Sequence, residues 1–75
     1  MKEVNKNTTF KIGQKIRIER MKRHLSQEKL AELANLNRNF IGMIERGETS
    51  LTVRSLENIA NAFEIDIKEL FIFVI

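Results

Sequence analysis

Between Gln27 and Arg46 the residue types give one side of a short helix a chemical task. If Leu30, Leu36, Ile41 and Ile44 point inward, helical spacing forces Arg38, Asn39, Gly42 and Met43 outward. Arg bridges O6 and N7 of a guanine edge, Asn pairs with adenine, and an apolar tip such as Met43 meets a thymine methyl. The outward side is short, polar and poor in acids, as suits a recognition helix entering a major groove N-terminus first. A good bidentate contact of this kind discriminates against the wrong base by about 1–3 kcal/mol. Gly42 is expected to let the helix sit close to base edges, at about 1 kcal/mol of helix propensity relative to Ala. Ordinary solvent exposure explains any one of these residues, but it is a poor account of the set.

Other chemistries find little support. His24 is the single histidine and there is no cysteine. No nucleophile–base–orienter set, no Gly-rich phosphate loop and no metal-ligand spacing is present. His24 reads as a surface or helix-terminal residue. The expectation is a protein that is not an enzyme and uses no cofactor and no metal.

The elements that must position the outward face follow from caps and periodicity. A polar arm is expected over residues 1–8, and the DNA-binding domain over residues 9–75. A first helix is predicted over about 10–23, with Ile12, Ile16 and Met21 inward. Ser26 caps a second helix over 27–34 with a stripe of Leu30, Leu33 and Ala34. Ala31 is small enough to let two short helices cross steeply, and Asn35 tolerates the left-handed turn between them. Asn37 caps a third helix ended by Gly47, and Thr52 caps a fourth bearing Val53, Leu56, Ile59, Ala60 and Phe63. Asp66 and Glu69 form a capping-box-like pair opening a short fifth helix through Leu70, and residues 71–75 are the one candidate strand. Short connections favour a compact all-α bundle.

At 75 residues, 43% hydrophobic and 31% charged, the chain is one small globular domain. The net charge of +3 is unevenly spread: residues 1–24 carry an excess of +6 and residues 25–75 one of −3. A basic end suits a polyanion, although charge alone fits a solvated helix face equally well. The longest apolar run, 70–75, is too short for a bilayer, so no membrane association and a cytoplasmic location are expected.

The stretch from Ile12 through Arg20, the run from Leu25 to Ala31, Asn37 to Gly47, and Leu56 to Ala60 together resemble the lambda-repressor/Cro-like helix-turn-helix family. The resemblance spans roughly residues 10–70 without a gap and implies a five-helix fold that binds double-stranded DNA and regulates transcription, often as a repressor. Leu36 to Gly47 and Ser50 to Glu57 look most like controller proteins of restriction–modification systems. By resemblance, Arg38, Asn39 and Met43 read bases, and Ser26, Gln27, Asn37, Thr49, Ser50 and Thr52 contact phosphates. Physics agrees for Ser26 and Gln27, since a helix N-terminus favours an anion. The resemblance also pairs Arg20 with Glu45 as a buried structural bridge. Where the family usually has Gly, this chain has His24, so a strained turn is expected. Glu19 replaces an apolar residue beside an apolar Ile18, so a shifted packing face is expected for the first helix. Asn37 and Gly42 replace the commoner Ser or Thr, and Phe40 lacks the hydroxyl of the Tyr often found in controllers.

The dense apolar C-terminus, with Phe63, Ile65, Ile67, Leu70, Phe71, Ile72, Phe73, Val74 and Ile75, exceeds what so small a bundle can cover. A two-fold homodimer interface through Ile67, Leu70, Phe71 and Phe73 is expected, acting on a partly palindromic operator. Two alternatives remain: an antitoxin whose tail holds a toxin, and a protein-interaction module that has kept the fold. Either RNA polymerase or a toxin is then a further partner.

Overall fold

A computed structural model describes the backbone of residues 3–73 and the side chains of residues 8–73. The order is α1 (Glu3–Lys22), α2 (Gln27–Ala34), α3 (Arg38–Glu45), α4 (Val53–Phe63) and a 3₁₀ helix (Ile67–Phe71). The described residues form an all-α domain of four helices and a 3₁₀ turn. None of the described helices is long and apolar enough to cross a membrane.

Local hydrogen bonds set most boundaries. The Ser26 hydroxyl accepts from the Lys29 N–H at 2.9 Å, and Asn37 Oδ1 from the Asn39 N–H at 2.7 Å. Thr52 and Ser55 form a reciprocal capping box at the head of α4. Asn35 takes φ 57°, and the Leu36 N–H reaches back to the Ala31 carbonyl at 2.8 Å. His24 does the same at the end of α1, with φ 56°, so the expected strain is present.

Several expectations need correction. Helix α1 begins at Glu3, inside the segment expected as an arm, because no Pro or Gly there stops propagation. Met1 and Lys2 lie outside the described residues. Met21 is exposed rather than inward, since it stands nine residues, or about two and a half turns, from Ile12. Leu33 is also exposed: Leu30, Ala31 and Ala34 form the buried stripe of α2, and Leu33 falls beside it. The fifth helix is a 3₁₀ turn without the reciprocal box, the Asp66 carboxylate accepting from the Lys68 N–H at 2.9 Å. Residues 72–73 are not a strand, and Val74 and Ile75 lie outside the described residues.

Helix α1 does not shift its face. Ile12, Ile16 and Glu19 share one buried side, and Ile18 is exposed. The Glu19 carboxylate is held by Lys15 at 2.9 Å, Arg23 at 2.7 Å and Lys22 at 3.3 Å. Burial alone would raise its pKa, but hydrogen bonds from Lys15, Arg23 and Lys22 outweigh it and lower the value from 4.5 to about 2. Arg23 also lies 4.7 Å from the Phe63 ring and donates to the Phe63 carbonyl at 3.4 Å, joining α1 to the end of α4.

Each element supplies part of one core, whose fully buried members are Ile16, Leu30, Ile41, Ile44, Ile59 and Leu70. Gly13 decides how α1 meets α3. A methyl group built there would overlap the Ile44 carbonyl oxygen and stand 3.3 Å from Glu45 Cα. The α1 backbone therefore runs directly against the last turn of α3, where Gln14 donates to the Glu45 carbonyl at 3.1 Å.

Candidate nucleic-acid interface

Helix α3 is held from behind. Ile41 and Ile44 are wholly buried and Phe40 packs against the same core. The Glu45 carboxylate is buried and accepts from Arg20 Nε at 2.7 Å and Nη2 at 3.1 Å, a bidentate pair. Arg20 Nη1 donates to the Leu25 carbonyl at 2.7 Å, and Gln27 Nε2 to Glu45 Oε1 at 3.1 Å. One carboxylate thus ties α3 to α1 and to the head of α2. The pairing expected from resemblance is present, and the α1–α2 turn is included in it.

With that side locked, the opposite side of α3 faces solvent. Arg38, Asn39 and Met43 are exposed, and with Gln27, Gly42 and Arg46 they line an open cleft of about 470 Å³. The three expected base-reading residues are therefore neighbours on one surface. Gln27 stands at its edge, with its amide nitrogen committed to Glu45. Ser26 and Asn37 are exposed at the starts of α2 and α3, and their side chains cap those helices. Thr49 and Ser50 lie in the connection to α4, and the Thr52 hydroxyl is bound to Ser55 at 3.1 Å. These three are not among the residues lining the cleft.

Gly42 departs from expectation. It is buried, and a Cβ there would lie 3.1 Å from Nη1 of Arg46 and 3.7 Å from Oε1 of Gln27. The space above it holds the Arg46 side chain. Arg46 is the member that sequence reasoning missed, although its position four residues after Gly42 and eight after Arg38 placed it on the same face.

The expected dimer residues separate. Leu70 is wholly buried in its own core and so is removed from the interface. Ile67 and Phe73 pack partly against that core, with Lys11 6.0 Å from the Phe73 ring. Phe71 and Ile72 stay about half exposed. Leu70 is the residue of the 3₁₀ turn that is wholly enclosed, and Ile67 and Phe73 pack beside it on the same core.

Residues 16–70 match the helix-turn-helix family HTH_3. The control protein C.BamHI of Bacillus amyloliquefaciens is 38% identical over 68 residues, covering 89% of this chain and 84% of that protein. The control protein C.SmaI of Serratia marcescens is 36% identical over 59 residues, covering 79% and 70%. The crystal structure of the restriction-modification controller protein C.AhdI from Aeromonas hydrophila superposes with TM-score 0.82 at 38% identity, covering 84% of this chain and 96% of that one. By name these relatives are control or controller proteins. The chain belongs to the HTH_3 helix-turn-helix family of DNA-binding transcriptional regulators.

Proposed function

We propose that this chain acts as a homodimeric regulator on a partly palindromic operator, in the manner of a restriction–modification controller. The observation that carries the reading is the exposed Arg38, Asn39 and Met43 set on a helix locked from behind by Arg20 and Glu45. Arg38 and Asn39 supply donors for purine edges, and Met43 an apolar contact to a thymine methyl. Ser26, Gln27, Asn37, Thr49, Ser50 and Thr52 contact phosphates through hydroxyl or amide groups and the backbone N–H groups of helix N-termini. Phe71 and Ile72, with the rims of Ile67 and Phe73, form the two-fold contact, which sets two recognition helices about 34–36 Å apart.

Selection of bound duplexes from a random pool tests the DNA reading. The expected product is a paired half-site, bound with affinity that falls steeply with salt, and recovery of no preferred sequence would overturn it. Sedimentation of wild type and Ile72→Asp at micromolar concentration tests the dimer. A monomeric wild type would end that part of the reading.

A further inference from the structure

Gly42 poses a problem that base reading by its neighbours does not answer. Gly is poorly suited to a helix interior, yet it occupies the middle of α3 and is buried although it lies on the outward side. Its missing side chain makes room for a group of the protein itself. Arg46 folds back over the preceding turn, as helical side chains do, and its guanidinium crosses the Gly42 backbone. A methyl at 42 would press on Nη1 at 3.1 Å and touch Cζ at an ordinary contact distance of 3.9 Å.

A second residue fixes that arrangement. Gly47 turns the chain at φ 71°, and the Glu48 N–H bonds the Met43 carbonyl at 2.9 Å. This places Glu48 Oε1 3.0 Å from Arg46 Nε. Because the contact uses Nε, both Nη groups remain for a base pair. We propose that Gly42 is the seat of Arg46, and that Arg46, positioned there by Glu48, is a specificity-determining residue of the α3 surface. This rests on the DNA-reading role of α3.

Released from the seat, a long Arg reaches any nearby phosphate, and phosphate contacts carry no sequence information. Held across α3, it offers a planar fork beside Arg38 and Asn39 that fits a guanine edge. Glu48 adds discrimination because its carboxylate repels phosphates and tolerates DNA only when the guanidinium lies between them. Both side chains are more than half exposed, so their pairing adds little to folding and its effect belongs to binding.

The test compares wild type, Gly42→Ala, Arg46→Ala, the Gly42→Ala/Arg46→Ala double variant and Glu48→Gln. Affinity is measured by anisotropy on a duplex selected from a random pool and on its scrambled counterpart, with thermal midpoints by circular dichroism. Gly42→Ala is expected to keep or raise the midpoint while binding the selected duplex about tenfold more weakly. In the Arg46→Ala background the same change has no further effect, and Glu48→Gln gains affinity for the scrambled duplex, lowering the ratio severalfold. Additive losses from the two substitutions overturn the inference, since Gly42 then makes room for DNA itself. A lower midpoint for Gly42→Ala also overturns it, because a surface guanidinium yields without harm to the fold. An unchanged ratio in Glu48→Gln removes Glu48 from the proposal. A wild type that prefers no duplex removes the DNA reading together with the inference, whereas failure of the variants alone leaves that reading standing.

Discussion

Replacing Glu45 with Gln is expected to cost this domain about 3–5 kcal/mol, the usual penalty for removing one partner of a buried ion pair. The Glu45 side chain is 3% exposed and that of Arg20 is 13% exposed, so water cannot take over the lost charge. The amide oxygen still accepts one hydrogen bond from the guanidinium, but the amide nitrogen cannot accept the other, so a bidentate ion pair at 2.7 and 3.1 Å becomes a single bond from a cation to an uncharged acceptor. Gln27, which donates to the same carboxylate, loses its acceptor or must share the remaining one. A domain of this size has roughly 4–11 kcal/mol of total stability at 0.05–0.15 kcal/mol per residue, so the variant should be largely destabilised. Its melting midpoint should fall by at least about 12 °C, at roughly 4 °C per kcal/mol. Urea unfolding followed at 222 nm measures the change directly. The Arg20→Met/Glu45→Met double variant should recover part of the loss, because no buried charge remains unpaired. A loss below about 1 kcal/mol, with Gln alone and no compensating shift in the urea slope, would refute the assignment of Glu45 as the tie between α1, α2 and α3.

Three further outcomes follow from the packing. Gly13→Ala should destabilise by about 1–3 kcal/mol despite its better helix propensity, since the new methyl meets the rigid Ile44 backbone, and urea unfolding reads the sign. His24→Gly should raise stability by about 1 kcal/mol by relieving the left-handed turn at φ 56°, and an unchanged midpoint would show that the turn is unstrained. Glu19 has its pKa depressed to about 2, so its ion pairs contribute fully above about pH 4.5 and are lost as pH falls towards 2. The stability gap between wild type and Glu19→Gln should therefore close over that window, and a gap independent of pH would contradict it.

Helix positions were legible in the amino-acid order because caps act over two or three residues. Ser26, Asn37 and Thr52 close hydrogen bonds with backbone or side chains at most three positions away, so their residue types announce the helix starts. Asn35 announced its turn in the same local way, whereas Glu64, left-handed at φ 61°, gave no such sign. The outward face of α3 was legible too, since Ile41 and Ile44 leave Arg38, Asn39 and Met43 no other side. The pairing of Arg20 with Glu45 came from family likeness and not from composition, because two charges 25 residues apart have many possible partners.

What tertiary structure alone decided depends on residues distant in the chain. Gly13 has meaning only because Ile44 packs on it, and Arg23, which pairs with Glu19, is also held by the ring and carbonyl of Phe63 at the far end of α4. Leu70 could not be assigned to core or surface until the bundle closed over it. Local order sets which bonds a backbone makes with its near neighbours. Which side chains share a volume depends on how helices cross, and that angle is set by contacts that no short stretch of sequence contains.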